Sequence, residues 1–283
     1  MGDSFQKLSV LDNFYQTSFF YPMPVVIVTT LAETGITNIG SYSLCFPFGI
    51  ADEHHMMLIS RSDSNTAVNI RRTGLAVLNF IPFKKSYHAN AVLLGYPGQT
   101  AEEKQKDSIF TLLPAMRENK KKDMQYPEII GEAFEIMECT WNSNPEIFKY
   151  KGSEAESHFL SRIDNIFMKN KWYDALLKGN GKFPSMPVDY GFRDSNFFWF
   201  AKHHNPFREP IPVNKGIDVD SIIYQVKRLP YNLEWEHDAY VKLVKIPRIF
   251  LKRVLENISQ RAINEGVTKI TPELLDLYNK KRR

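Results

Sequence analysis

Apolar, β-branched residues run without interruption through PVVIVTT at 24–30, which is typical of a strand buried on both faces. A turn follows at Gly35 and Asn38. NIGSYSLCFPFG then predicts a second extended segment that ends near Pro47, and 55–60 predicts a third strand. Strands joined by short turns favour an antiparallel barrel over a doubly wound parallel sheet.

One short helix and further strands follow. Ser64 or Asn65 can cap a helix over 66–72, with Gly74 just past its end. LAVLNFIP predicts the next strand, and a polar helical stretch covers 101–123. Alternating apolar positions in GEAFEIMECTWN predict a strand with one solvated face, and we assign SHFLSRIDNIFMKN to a strand because its neighbours are strands.

The pattern changes after these strands. The aromatic, proline-rich stretch 182–214 predicts a segment that wraps the surface. Helical spacing in WEHDAYVKLVKI, a helix opened by Pro247 and a third helix capped by Thr271 predict a small three-helix unit. Its boundary is placed between Val226 and Leu233. The predicted organisation is a mainly β domain with peripheral helices at 1–228 and a helical domain at 229–283.

Composition fits a soluble globular protein, with 283 residues of which 43% are hydrophobic and 24% charged. The uncharged run 14–32 is broken by Pro22 and Pro24, so we expect no membrane span there and no secretory signal. The cytoplasm is the expected compartment. The two cysteines, Cys45 and Cys139, give no support for a disulfide framework, a zinc site or an iron–sulfur cluster.

The net charge of +4 is unevenly distributed. The segment from Tyr240 onward contains eleven Lys or Arg but only four Asp or Glu, so the basic character belongs to the tail. Nucleic-acid binding by this tail is our third choice of function, because many of its cations lie on the predicted outer face of short helices.

Two clusters of hydrogen-bonding side chains carry the candidate chemistry. The first, SRSDSNTAVNI, opens the predicted helix, whose free N–H groups and dipole favour an anion such as a phosphate. Arg61 would add positive charge, whereas Asp63 opposes an anion. Helix capping alone can explain this cluster. The second cluster, in NIGSYS, would lie beside the strand leading to Arg61 in a barrel, which favours a site for a flat polar ring with a phosphate at one end.

These segments together resemble a known family. PVVIVTT, GITNIGSYSLCFPFG and MMLISRSDSNTAVNIRRTGLAVLNF, in this order and spacing, are similar to the flavin reductase-like family of FMN-binding split barrels. The later YPEIIGEAFEIMECTW is similar to that family too. The resemblance covers roughly 14–170 and extends more loosely to about Arg208. The matching positions are Thr29, Thr30, Asn38, Ser41, Ser43, Pro47, Thr66, Asn69, Ile70, Gly74 and Asn79.

The resemblance implies a split-barrel homodimer with FMN at the subunit interface, its ring near 41–45 and its phosphate near 61–66. We therefore expect an FMN-dependent oxidoreductase that passes hydride or electrons from NAD(P)H or a protein donor, with no catalytic acid or base because the cofactor carries the chemistry. The expected cofactor-binding residues are Asn38, Ser41, Tyr42, Ser43, Leu44, Cys45, Ser60, Arg61, Ser62, Asn65, Thr66 and Asn69.

The tail carries a second resemblance. WEHDAYVKLVKIPRIFLKRVLENISQRAINEGVTKITPELL is similar to the small C-terminal helical domain of the light-independent protochlorophyllide reductase B subunit. In that family the domain helps to cover a tetrapyrrole, but the cysteine ligands of that enzyme are absent here. The alternative function is therefore a non-catalytic split-barrel module that holds flavin, haem or another tetrapyrrole, with the helical tail as an interaction arm.

Overall fold

The chain divides into two compact units, Met1–Pro206 and Phe207–Arg283. The computed structural model describes residues 5–11, 13–50, 54–117, 120–121, 124–142, 154–178, 183–193, 197–204 and 217–280. The helix Ile217–Lys227 lies in the second unit, whereas the boundary expected from sequence places it in the first. Burial accounts for the difference, because Ile222 and Val226 of this helix belong to the apolar core of the second unit.

The first unit is mainly β, as predicted. Its helices are α1 (Phe14–Thr17), α2 (Asn65–Thr73), α3 (Lys85–Leu94), α4 (Ala101–Asp107) and α5 (Asn170–Lys178). Its strands are β1 (Met23–Pro24), β2 (Val26–Leu31), β3 (Thr37–Tyr42), β4 (Cys45–Pro47), β5 (His55–Arg61), β6 (Leu75–Phe80), β7 (Leu112–Leu113), β8 (Ile129–Ile130), β9 (Glu135–Trp141), β10 (Glu156–Met168), β11 (Pro187–Arg193) and β12 (Phe198–Lys202).

A curled seven-stranded antiparallel sheet forms the body of this unit, in the order β3-β2-β6-β9-β10-β5-β4. All six residues of β2 are buried. Val26 and Val28 pack into one apolar cluster and Ile27 into another, because successive side chains of a strand point to opposite faces. The prediction of a strand buried on both faces is therefore confirmed.

The two edge strands of this sheet are neighbours in sequence. Edge strand β3 ends at Tyr42 and the opposite edge strand, β4, begins at Cys45, so only Ser43 and Leu44 separate them. Three Cα-to-Cα steps lead from Tyr42 to Cys45 and span roughly 11 Å at most. The sheet must therefore curl until its edges nearly meet, and we call the crossing at Ser43 and Leu44 the seam. The Ile59 N–H donates to the Leu44 carbonyl at 2.9 Å and fixes the crossing against β5.

Several local expectations need correction. The second extended segment is interrupted at the seam, and Asn38 lies within β3 rather than in a turn. Among the described residues of the polar stretch 101–123, only α4 is helical, and β7 follows at Leu112–Leu113. The segment expected to wrap the surface contains β11 and β12, which form a small antiparallel sheet with β1. Helix α3 was not predicted.

Helix α2 has the ends that the sequence predicts. The Ser64 hydroxyl accepts a hydrogen bond from the Ala67 N–H at 3.1 Å, which satisfies one of the free donors of the first turn. Gly74 adopts a left-handed conformation with φ of 68° just past the last turn. Ser64, rather than Asn65, is therefore the cap, and both ends of the helix are fixed locally.

The second unit is helical. It contains α6 (Ile217–Lys227), α7 (His237–Leu243), α8 (Arg248–Asn264) and α9 (Pro272–Lys280), with a short parallel pair of strands, β13 (Glu234–Trp235) and β14 (Lys269–Ile270). Helices α7 to α9 correspond to the predicted three-helix unit, and α6 packs with them in one core. Trp235 lies in β13 instead of beginning the first predicted helix. No described helix combines the length and apolar character needed to cross a membrane.

Candidate functional site

A groove runs along the seam of the first unit and consists of three adjoining cavities that share Ser41, Tyr42, Gly95 and Pro97. The cleft, about 520 Å³, lies between the start of α2 and the segment 94–100. The mouth, about 820 Å³, extends from the seam to α1 and the start of β10. The inner cavity, about 150 Å³, is lined by residues of α3, β11 and β12 and is open to solvent like the other two.

Three hydroxyl groups meet at the wall of the cleft. The Ser60 and Ser64 hydroxyl oxygens lie 2.7 Å apart, and the Ser60 hydroxyl donates to the Tyr42 oxygen at 3.1 Å. Ser60 and Ser64 are carried by the β5 end and the α2 cap, whereas Tyr42 ends β3. The cluster therefore joins the two sides of the seam and presents hydroxyls at a helix N-terminus, where an anion is favoured.

Gly40 lets the start of α2 approach β3 closely. A Cβ atom at Gly40 would lie 2.9 Å from the Thr66 hydroxyl and 2.9 Å from the Tyr42 ring. Any larger residue would have to displace both groups, and both residues line the cleft. The absence of a side chain at Gly40 therefore sets the width of the cleft.

Lys104 supplies a buried positive charge to the cleft, and the sequence predictions missed it. Its side chain is 7% exposed, and its ammonium donates to the Leu94 carbonyl at 2.9 Å. Among the described residues, no carboxylate lies within ion-pair distance of this ammonium. Burial lowers the pKa of Lys104, because charge is disfavoured where water is excluded. An anion in the cleft would compensate this charge.

Arg61 lies at the same cleft but is already paired. Its guanidinium donates to both carboxylate oxygens of Asp63, at 3.1 and 2.7 Å. Both side chains are largely exposed, at 62% and 70%. The pairing raises the pKa of Arg61 and lowers that of Asp63. The charge expected from Arg61 is thus partly neutralised by Asp63, and the uncompensated cation of the cleft is Lys104.

Several predicted residues form hydrogen bonds that hold the walls of the cleft in place. Asn38 and Asn69 are buried, and the Asn69 amide donates to the Thr30 hydroxyl at 3.1 Å. The Asn38 amide donates to the Thr66 hydroxyl at 3.4 Å. Asn65 lines the cleft and donates to the Gln99 carbonyl at 2.7 Å, which ties the start of α2 to the segment 94–100.

Ser62 and Cys45 point away from the groove. The Ser62 hydroxyl lies 2.9 Å from that of Ser157, and Arg71 contacts both serines, which anchors the β5–α2 turn to β10. Cys45 is buried in an apolar cluster, and burial raises its pKa to about 12. The structure therefore brings together, as groove-lining residues, the predicted Ser41, Tyr42, Ser43, Leu44, Ser60, Arg61, Asn65 and Thr66.

The sequence contains a pattern from which the burial of Lys104 on a helix could have been predicted. Thr100 and Glu103 form a capping box at the start of α4, with hydrogen bonds of 3.2 and 2.8 Å. Lys104 lies three residues after Ala101, so both share one helix face, and both are buried.

Within the residues that the structure describes, no group of three His, Cys, Asp or Glu side chains could hold a metal ion.

Comparison with known proteins identifies the fold. No protein-family model and no curated protein matches the chain. Among solved structures, the chain is similar to Pseudomonas fluorescens 2-nitrobenzoate 2-nitroreductase, with 18% identity over 73% of this chain and 94% of that chain and a TM-score of 0.54. Nitrilotriacetate monooxygenase component B from Bacillus cereus matches with 18% identity over 73% and 100% of the two chains and a TM-score of 0.54.

A further similar structure is flavoredoxin from Methanosarcina acetivorans, with 14% identity over 75% of this chain and 97% of that chain and a TM-score of 0.51. The chain thus has the flavin reductase-like split-barrel fold that the sequence predicted. At these identities the similarity establishes the fold, whereas the function has to be argued from the groove.

Proposed function

We propose that this protein is a flavin-dependent oxidoreductase that binds FMN in the groove and accepts hydride or electrons from NAD(P)H or a protein donor. The observation that carries the proposal is the uncompensated Lys104 ammonium in a hydroxyl-lined cleft that continues along the seam. A phosphate fits one part of this groove, and a flat polar ring fits the other.

The cleft has the donors that a phosphate requires. Ser60, Ser64 and Thr66 offer hydroxyls at the start of α2, where the helix dipole favours negative charge. Lys104 offers a cation whose burial strengthens its attraction for an anion. In the proposed complex Lys104 is the principal phosphate ligand, and Arg61 contributes less because Asp63 competes for it.

The seam would hold the flavin ring. Ser41, Tyr42, Ser43 and Leu44 line the mouth and combine polar side chains with main-chain groups of an irregular crossing between strands. When bound, the flavin supplies the hydride and electron chemistry, so the protein has to bind, orient and shield it. Burial raises the pKa of the Cys45 and Cys139 thiols, and we assign neither a catalytic role.

A homodimer is part of the proposal. Helix α1 borders the mouth through Asn13, Tyr15 and Gln16, and the aromatic side chains beside it are exposed. Phe19 stacks on Tyr21 with ring centroids 5.5 Å apart and lies 6.2 Å from Phe14. Soluble monomers rarely leave large apolar patches exposed, so a second copy covering this surface and closing the mouth is the proposed arrangement.

The assembly is tested by sedimentation equilibrium. Phe19→Asp should weaken the dimer, because it places a charge in the proposed interface. Phe250→Asp, at a phenylalanine of similar exposure in the second unit, is the matched control. A wild-type monomer at all accessible concentrations would remove the dimer from the proposal.

The cofactor is tested by its absorption and by titration. We expect the purified protein to bind FMN, with quenching of flavin fluorescence, and to oxidise NADH or NADPH in steady state. Absence of FMN binding by the folded protein would refute the proposal. Tight binding without turnover with either nucleotide would instead support the alternative of a non-catalytic flavin carrier, unless a protein donor restores reduction.

A further inference from the structure

The inner cavity is a separate compartment of the groove. Helix α3 contributes His88, Ala91 and Val92 to its wall, and the opposite wall contains Asp189 of β11 and Phe200 of β12. It adjoins the rest of the groove through Ser41, Tyr42 and Gly95. A molecule in this cavity would therefore lie beside the seam without occupying the cleft around Lys104.

Size and polarity limit what the inner cavity can hold. Its volume of about 150 Å³ is the size at which an apolar protein cavity binds benzene. Val25 and Ala91, which are 4% and 1% exposed, provide apolar wall, and the Phe200 ring provides an aromatic face. Asp189 places negative charge at the wall, which disfavours an anionic occupant. The matching ligand is thus one neutral ring.

His88 lines this wall and carries an unsatisfied polar atom. Its Nε2 atom is sealed from solvent and has no hydrogen-bond partner, and within the described part of the chain the imidazole forms no hydrogen bond. The ring instead packs edge-on against Phe200, with centroids 4.1 Å apart. Burial lowers the pKa of His88, while the Asp189 charge opposes that shift. A neutral imidazole can donate and accept hydrogen bonds, so rotation of the His88 ring toward the cavity would pair it with a polar substituent on a bound ring.

We propose that the inner cavity binds a neutral, single-ring aromatic molecule whose polar substituent hydrogen-bonds His88. The site lies next to the seam, and, resting on the proposed function, this ligand class is that of the substrate that faces the flavin. Binding itself requires only the cavity, so it can be measured in protein without flavin.

The test uses phenol as the probe and the full-length protein, with and without bound FMN. Phenol should bind in both states and shift the His88 imidazole resonances in the NMR spectrum, while benzoate should bind at least ten-fold more weakly. Val92→Phe, which fills the cavity, should lower phenol affinity at least ten-fold. Leu93→Phe, at the exposed neighbouring position, is the matched control and should leave it unchanged.

A second variant addresses the hydrogen bond. His88→Leu should weaken phenol binding, and His88→Gln should restore part of it, provided that both variants keep the wild-type circular dichroism spectrum. The proposal of a separate site would be overturned if phenol bound the Val92→Phe variant as well as the wild type. It would also be overturned if bound FMN abolished phenol binding. Failure of FMN to bind, with phenol binding intact, would refute the proposed function and leave the aromatic site standing.

Discussion

The Lys104 ammonium donates a hydrogen bond of 2.9 Å to the Leu94 carbonyl, which joins the side chain of one helix to the C-terminal end of another. This bond satisfies one of the three donors of the ammonium. Lys104 lines the cleft, and its ammonium has no carboxylate partner among the described residues.

Lys104→Met should lower the affinity for FMN by about ten-fold or more, because hydrogen bonds to charged groups contribute about 1.5–3 kcal/mol. Riboflavin, which lacks the phosphate, should bind the variant and the wild type equally. Lys106→Met, on the exposed side of α4, serves as the control. Fluorescence titration with both ligands measures the effect, and equal losses for FMN and riboflavin would argue for a structural role of Lys104.

Stability without flavin should depend on pH through Lys104. Its pKa is lowered in the folded state, so the folded protein disfavours the charged form relative to the unfolded chain. The resulting penalty is present below the folded-state pKa and disappears as pH rises toward the ordinary lysine value of 10.5. Urea unfolding of wild type and Lys104→Met from pH 7 upward should show the wild type gaining relative stability. A difference in unfolding free energy between the two proteins that stays constant with pH would contradict this prediction.

Asp63→Asn should strengthen FMN binding, because it releases Arg61 from a bidentate ion pair at the edge of the cleft. Exposed pairs of this kind contribute about 0.2–1 kcal/mol, so we expect at most a roughly five-fold gain that shrinks at high salt. Arg61→Ala should weaken binding less than Lys104→Met does. A larger loss with Arg61→Ala would reverse the proposed ranking of the two cations.

Gly40→Ala should weaken FMN binding and cost about 1–3 kcal/mol of unfolding free energy, because the new methyl group overlaps the Thr66 hydroxyl and the Tyr42 ring. Gly131→Ala, remote from the groove, provides a comparison, because its new methyl group meets the flexible Leu113 side chain at 3.1 Å and the Thr111 carbonyl at an ordinary 3.4 Å. Thermal unfolding and FMN titration of both variants measure the effect. Wild-type affinity in Gly40→Ala would show that the cleft adapts.

Glu138→Ala should destabilise the first unit by about 3–5 kcal/mol, because it leaves the partners of a buried carboxylate unpaired. Glu138 accepts hydrogen bonds from the Met116 and Arg117 N–H groups at 2.8 and 3.0 Å and from the Asn165 amide at 3.1 Å. Arg162→Ala, which removes an exposed partner of Asp164, should change stability by less than about 1 kcal/mol. Urea unfolding of both variants makes the comparison.

The strands and the caps of α2 could be predicted because their determinants are local. A continuous apolar run specifies β2, and Ser64 and Gly74 specify the ends of α2 whatever surrounds them. Glu138 shows the limit of such reasoning. It interrupts the apolar alternation of β9, yet it is fully buried, because main-chain donors from a distant segment satisfy its carboxylate. Strand periodicity carries no information about such partners.

The site residues, like the strands and helix ends, could be predicted only in part. Hydroxyl and amide residues of two short segments were expected to converge, and the groove brings most of them together. The two cations of the cleft could not be ranked from the sequence, since the pairing of Arg61 with Asp63 and the burial of Lys104 depend on side-chain conformation and packing. FMN, the homodimer and the resemblance of the tail to a protochlorophyllide reductase domain stay predictions.

The seam has a consequence for folding. Its two residues join the two edge strands of the sheet, β3 and β4. The groove therefore exists only after every strand between these edges has paired, including β9 and β10, which are distant in sequence. Pairings between residues far apart in sequence form slowly. A ligand that needs both edges would therefore bind late, and its capture during refolding would report the moment at which the sheet closes.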